Sequence, residues 1–300
     1  MRVALLNYNA RLGDAIGNQV AEKLQFFLDR GANVRVFLED KQFLHPALAD
    51  HCTLVAGKTL PAELLEWLAS ADLIIAEYGQ YYPLLQWLPK LAGGKPKIVV
   101  DYHGVTPPEL WGQHNRQVLV EGIAQRPLLG FADRVIVHSR QTEQDLSEVL
   151  NHPEQRLCKL GYPVEILPIS ESEAVAWRMK HGLPQATILL CVGRLAPSKR
   201  VPFLVEGLAR LKAELPNVHL VVLGDKEDLY YRQAEECLKI ARRLDIADRL
   251  HLLGKVEERE LHQAYRAADI LVSASLHEGF CIPVIEAQAH GLPVIACRRT

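Results

Sequence analysis

Two short stretches of the chain carry residue types suited to a phosphorylated ligand. The first is Gly193-Arg194-Leu195-Ala196-Pro197-Ser198-Lys199. A guanidinium offers a planar fork of donors and an ammonium a compact positive charge, so Arg194 and Lys199 together suit a diphosphate. If that diphosphate leaves during a reaction, the same cations stabilise the negative charge growing on it. Basic residues on a solvated loop can also be idle, and this pair alone decides nothing. The second stretch is Glu278-Gly279-Phe280-Cys281-Ile282-Pro283-Val284-Ile285-Glu286. Pro283 is expected at the first position of a helix, which puts Glu278 in the preceding loop and Glu286 about one turn in. Gly279 permits close backbone approach, and amides near a helix start bind anions. Carboxylates placed there can accept hydrogen bonds from sugar or ribose hydroxyls. Two glutamates so spaced can also be a structural and a solvated charge.

The elements that must hold these residues follow from hydrophobic period. Short β-branched runs alternate with longer segments of helical spacing. Strands are expected at Val3–Leu6, Val34–Leu38, Leu73–Glu77, Ile98–Tyr102 and Arg134–His138, then at Ile188–Val192, His219–Leu223, Arg249–Leu253, Ile270–Ser273 and Pro293–Cys297. Helices are expected at Asn18–Arg30, closed by Gly31, near Gln141 behind a Ser139 cap, and near Val201–Glu214, Tyr230–Leu244, Glu257–Ala267 and Pro283–His290. Strands that are apolar almost throughout belong to parallel sheets covered on both faces. The fold class is α/β, with two doubly wound, Rossmann-like domains, 1–168 and 169–300, divided at the Pro168–Glu173 stretch. Open sheets of this kind bind ligands beyond the carboxyl ends of their strands, which is where Arg194, Lys199 and Glu278 fall. His103 likewise follows the strand Ile98–Tyr102.

Composition narrows the chemistry. A net charge of −2 over 300 residues gives no global attraction to nucleic acid or to an anionic membrane. The cysteines Cys52, Cys158, Cys191, Cys237, Cys281 and Cys297 form no Cys-x-x-Cys pair and read as buried, reduced thiols. No signal peptide and no apolar run of membrane-spanning length is seen, so a cytoplasmic protein is expected, with a peripheral contact at the inner membrane left open. A parallel strand ending at Cys297 lacks the helix that should cover it, so further residues are expected after Thr300.

Residues 188–297 closely resemble the donor-binding domain of family 4 glycosyltransferases, which have the GT-B fold of two Rossmann-like domains facing a cleft. The matching pieces are Gly193-Arg194-Leu195 with Lys199, Leu220-Val221-Val222-Leu223-Gly224, and Glu278 to Glu286 followed by Ala287-Gln288-Ala289-His290-Gly291-Leu292-Pro293-Val294. Gly13-Asp14-Ala15-Ile16-Gly17-Asn18 and Tyr102-His103-Gly104-Val105-Thr106-Pro107-Pro108 look like two patterns of a bacterial subgroup, which more usually has Asn-Ile where Gly104-Val105 stand.

The resemblance implies a retaining, metal-independent enzyme moving a hexose from a UDP- or GDP-sugar, a substrate rather than a cofactor, to a glycan or lipid-linked acceptor. It implies that Arg194 and Lys199 hold the diphosphate and that Glu286 binds the ribose. Glu278 would contact donor-sugar hydroxyls, with Gly279 and the Phe280 and Cys281 amides nearby. Gly13 would approach the donor phosphate and His103 the donor sugar. Acceptor binding would fall to the first domain, where Tyr78, Tyr81, Tyr82, Trp87 and Trp111 could stack on a sugar or simply pack.

Absences fit this reading. There is no Asp-x-Asp for a metal, no Gly-x-Gly-x-x-Gly for a dinucleotide, and no His-Glu-x-x-His or Gly-x-Ser-x-Gly. Gly57-Lys58-Thr59 mimics the end of a phosphate loop, but Cys52 takes the place of its first glycine. A nucleotide-sugar epimerase of the same fold, and a non-catalytic nucleotide-sugar binding module, remain as alternative readings.

Overall fold

Strands with both faces covered dominate the architecture. In the computed structural model, which describes residues 1–55, 59–111, 116–225 and 232–298, the first sheet comprises β1 (Arg2–Asn7), β2 (Asn33–Leu38), β3 (Cys52–Leu54), β4 (Leu73–Tyr78), β5 (Lys97–Tyr102), β6 (Arg134–Val137) and β7 (Leu157–Lys159). Their order is β3-β2-β1-β4-β5-β6-β7 and all neighbours are parallel. The second sheet comprises β8 (Thr187–Val192), β9 (Val218–Leu223), β10 (Leu250–Gly254), β11 (Ile270–Ser273) and β12 (Val294–Ala296), in the order β10-β9-β8-β11-β12 and again all parallel. Each sheet is wound outward from its first strand in one direction and then outward on the other side, which is the doubly wound topology expected.

The chain packs as two units, Met1–Thr106 with Gln117–Gly161, and Pro107–Arg116 with Tyr162–Thr300. Where the sequence suggests one division at Pro168–Glu173, the second unit also takes in Pro107–Arg116. In the second unit alternate strand residues serve opposite faces. Leu189 and Cys191 of β8 join Leu220 and Val222 of β9 beneath the helices Val201–Leu211 and Gln233–Arg243. Ile188, Leu190, Val221 and Leu223 meet the helices Glu171–Lys180 and Glu258–Ala267 on the other side. In the first unit, Val20, Ala21 and Leu24 of the helix Ala15–Leu28 pack on Val3, Leu5, Val34 and Val36.

The central strands lie within a residue or two of expectation; of the three-residue strands, β12 was expected and β3 and β7 do not appear there. Both are sheet edges whose residues are only half-buried or exposed, so they lack an apolar run. The first helix begins at Ala15 rather than Asn18 because the Asp14 carboxylate accepts from the Gly17 amide and starts it earlier. Gly31, with φ 70°, follows its end. Ser139 caps the helix Arg140–Ser147 in a reciprocal box with Thr142. Of the helix expected from Tyr230, Gln233–Arg243 is seen; Tyr230, like Gly57 and Lys58, lies outside the described residues. All six cysteines are free thiols, but only Cys191 and Cys237 are buried; Cys158, on edge strand β7, is exposed. Among the described residues no helix is long and apolar enough to cross a membrane.

One glycine pair fixes the turn after β8. Gly224 has φ 145°, and a Cβ there would sit 2.1 Å from the Gly193 carbonyl oxygen. The Gly193 amide in turn donates to Leu223 O at 2.8 Å. Gly224→Ala should therefore displace the Gly193–Arg194 turn and cost more than about 1 kcal/mol. Gly207, inside the helix Val201–Leu211, has nothing within 4 Å of its missing Cβ. Gly207→Ala should add about 0.8–1 kcal/mol of stability. Urea unfolding of both variants checks the opposite signs.

Candidate functional site

The helix after β8 covers one face of the second sheet and the helix after β11 the other, so the chain segments leaving these neighbouring strands diverge. That divergence leaves a crevice at the carboxyl ends of β8 and β11, and both conspicuous stretches of the sequence lie on its rims. The loop Gly193–Arg200 leads from β8 into the helix Val201–Leu211, and the loop from Ala274 leads from β11 into the helix Ile282–Ala289. The Leu276 amide donates to Ser198 O at 2.9 Å, tying the loops together through backbone. Ser198 and Ser275 are both buried beneath this tie.

Lys199 and Glu278 complete the connection. The Lys199 Nζ lies 2.5 Å from Glu278 Oε1, with side chains 24% and 11% exposed. The pair is shielded enough for charge to matter and open enough to meet a ligand. Arg194 does not join it: its guanidinium carbon stands 5.4 Å from the Trp111 ring centroid, a cation–π contact within the same unit. A flat guanidinium laid over an indole keeps its edge donors available.

The helix carrying Glu286 starts one residue earlier than expected, at Ile282, so Pro283 occupies its second position rather than its first. The cause is Cys281, the N-cap residue, held in the left-handed region at φ 64° and ψ 59°. Arg200, which precedes the other rim helix, is left-handed as well, at φ 52° and ψ 39°. A non-glycine residue held so costs on the order of 1–3 kcal/mol, and such residues cluster at ligand sites. Phe280 stacks on Tyr162 with centroids 5.2 Å apart. Burial, with Glu278 next in effect, pushes the Cys281 thiol up to about 11, so it stays protonated at neutral pH. Glu286 is half-buried and accepts from the Tyr265 hydroxyl at 2.6 Å on Oε2. Burial raises its pKa, while the Tyr265 hydrogen bond pulls the other way.

Gly13 and His103 belong to the first unit. The Gly13 amide donates to Asn18 Oδ1 at 3.2 Å, and φ is 74°. His103 is buried just beyond β5, its Nε2 2.8 Å from Glu77 Oε2. It belongs to a network that the sequence reading overlooked. Glu77 of β4 and Asp101 of β5 are register partners, two carboxylates side by side and almost fully buried. Such neighbours repel unless a cation lies between them. Lys23, from the helix Ala15–Leu28, supplies it, at 2.7 Å from Glu77 Oε1 and 2.5 Å from Asp101 Oδ2. His138 Nε2 meets Asp101 Oδ1 at 2.6 Å, and the His103 and His138 rings stack at 5.5 Å. Burial opposes both charges, yet the partners prevail: the Lys23 pKa stands above its ordinary value and the Asp101 pKa below. Asp101, His103 and His138 each offer a ligand atom within 4.8 Å of the others, a spacing that could hold a metal ion. The Lys23 ammonium on Asp101 already supplies positive charge there. A carboxylate inside each of two otherwise apolar runs, Leu73–Glu77 and Ile98–Tyr102, was the signal available in the sequence.

The aromatics after the first-unit strands divide. Tyr78 and Tyr82 are buried, the Tyr78 hydroxyl donating to the Gly122 carbonyl, so neither presents a ring to a sugar. Tyr81 and Trp87 are half-buried, as is Trp111, which packs with the second unit.

Residues 174–300 match the family described as glycosyl transferases group 1. Over these residues the chain resembles a group 1 glycosyltransferase domain, and its fold is the GT-B fold of the solved glycosyltransferases it superposes on. Among curated proteins it is 32% identical over 179 residues to a D-inositol 3-phosphate glycosyltransferase of Mycolicibacterium gilvum, covering 59% of this chain and 39% of that protein. A D-inositol 3-phosphate glycosyltransferase 2 of Catenulispora acidiphila is also 32% identical, over 181 residues, 59% of this chain and 42% of that one. The chain thus spans about two fifths of the curated relatives it matches. Among solved structures, Anabaena Alr3699/HepE in complex with UDP and glucose superposes with a TM-score of 0.74 at 20% identity, over 99% of this chain and 81% of that one. Sucrose-phosphate synthase of Thermosynechococcus elongatus gives 0.73 at 22%, over 98% and 80%. At these identities the superpositions speak for the fold.

The charge network makes a stability prediction. Lys23→Met leaves two buried carboxylates without their cation and should cost about 3–5 kcal/mol. In the parent protein, the Asp101 contribution is complete above the unfolded carboxylate pKa of about 3.9 and is lost as pH falls through the lower folded value. The Lys23 contribution is complete below about 10.4 and is lost as pH rises through the higher folded value. Unfolding between pH 4 and 10 should therefore show the full penalty in the variant; a variant as stable as the parent would contradict the assignment.

Proposed function

We propose that this chain acts as a retaining, metal-independent glycosyltransferase that takes a hexose from a nucleoside-diphosphate sugar, with UDP as the nucleotide. The observation that carries the reading is the Lys199–Glu278 pair, which joins the two rims of the second unit's crevice. One member is suited to phosphate and the other to sugar hydroxyls. The UDP and glucose bound by the superposable Anabaena protein support the choice of UDP and of a hexose.

In this reading Lys199 and Arg194 hold the diphosphate, the first as a point charge and the second through its planar fork. Both neutralise the charge that develops as the bond from sugar C1 to phosphate oxygen breaks. Glu286 accepts from the ribose. Glu278 accepts from donor-sugar hydroxyls through the oxygen not facing Lys199, while Gly279 and the Phe280 and Cys281 amides line the approach. A carboxylate paired with Lys199 is a poor covalent nucleophile, which favours front-face attack. The acceptor oxygen bonds to C1 on the face the diphosphate leaves, and its proton passes to the departing phosphate oxygen. The acceptor is a hydroxyl of a glycan or of a lipid-linked molecule.

Calorimetry against UDP and GDP, with and without magnesium, tests the donor site. The expected result is UDP binding indifferent to the metal. Arg194→Ala and Lys199→Ala should each weaken UDP binding about ten- to hundredfold, as expected for loss of a charge-assisted hydrogen bond. Unchanged binding in both variants would reject the assignment. Transfer from UDP-glucose, with product anomers followed by NMR, should show retention.

A further inference from the structure

Glu286 and Glu278 are held by opposite means. Glu278 faces a cation, Lys199. Glu286 faces a neutral phenol: the hydroxyl of Tyr265, a residue only 1% exposed, donates to Oε2 at 2.6 Å. A buried hydroxyl must find an acceptor or lose its hydrogen bond. Here it also has little freedom to look elsewhere, because the ring is stacked. His290, at the end of the Glu286 helix, lies parallel to it at 5.9 Å and 9°. His290 Nε2 is itself tied to Nδ1 of buried His262 at 2.8 Å. The clamp fixes one carboxylate oxygen without cancelling the charge, leaving Oε1 to accept from a ligand.

We propose that Tyr265 is a positioning residue that, acting through Glu286, enables the site to select ribose hydroxyls. This rests on the reading of Glu286 as the ribose acceptor. A consequence concerns ionisation. Burial pushes the Glu286 carboxyl up and the Tyr265 hydrogen bond restrains it. Removing the hydroxyl should let the carboxylate protonate at higher pH, so ribose selection fails earlier as pH falls. The other titratable groups facing Glu286 are His262 and Glu258 on the helix Glu258–Ala267, with His290 at the end of its own helix. All three remain in the variant, so a shift between the two pH profiles isolates Tyr265.

The test is calorimetry of the full chain against UDP and 2′,3′-dideoxyuridine diphosphate from pH 5 to 8, for the parent, Tyr265→Phe and Glu286→Ala. The parent should prefer UDP, and Glu286→Ala should abolish that preference. Tyr265→Phe should reduce it about tenfold, the scale of a hydrogen bond to a charged group, and move its loss to higher pH, with binding of the dideoxy compound unchanged. Should Tyr265→Phe fail to fold, difluorotyrosine at position 265 keeps the shape and strengthens the donor, and the loss should then move to lower pH. A preference and pH profile identical to the parent's in Tyr265→Phe, or in the difluorotyrosine protein, would overturn the positioning role. Undiminished preference in Glu286→Ala would instead overturn the ribose reading on which it rests.

Discussion

Two chain segments that leave adjacent parallel strands toward opposite faces of a sheet cannot both remain above the strand ends. That constraint organises the second unit. It is set at β8, where β9 lies on one side and β11 on the other, and where alternate residues are divided between two cores. The backbone tie from Leu276 to Ser198 and the Lys199–Glu278 pair hold the diverging loops at a fixed separation. Left-handed Arg200 and Cys281 bend each loop into its helix. The local cost of those two residues is met by the packing of the helices they introduce.

The first unit faces the same constraint and handles buried charge differently. In the second unit the ionic pair remains partly open. In the first, Glu77, Asp101, His103 and His138 form a connected group almost out of reach of water, and only the Lys23 side chain that joins the two carboxylates reaches the surface. Two carboxylates forced side by side by strand register require the ammonium of Lys23, and the two histidines take up the outer oxygens. His103 is therefore oriented by β4 as much as by β5, the strand it follows.

What the sequence discloses and what it withholds have a common cause. Interior strands such as Leu73–Tyr78 and Thr187–Val192 announce themselves because covered parallel strands must be apolar nearly throughout. Cys52–Leu54 and Leu157–Lys159, at the margins, have one neighbour each and little burial, and so leave no pattern. The crevice residues were legible in type and order, since Arg194, Lys199 and Glu278 follow strand ends. The partners were not: nothing along the chain joins Tyr265 to Glu286, or Lys23 to Asp101, because those meetings depend on helices laid across strands. The one-residue shift at Pro283 likewise depends on Cys281 adopting a conformation that a cysteine seldom takes.

The uneven setting of the thiols has a practical side. Cys191 and Cys281 border the crevice, and burial pushes them up to about 12 and 11, so at neutral pH neither offers appreciable thiolate to an alkylating reagent. Cys158 stands exposed on the outermost strand of the first sheet. A maleimide dye applied briefly under mild conditions would reach Cys158 ahead of the buried Cys191 and Cys237, giving the outermost strand a native attachment point for a fluorophore or a surface tether.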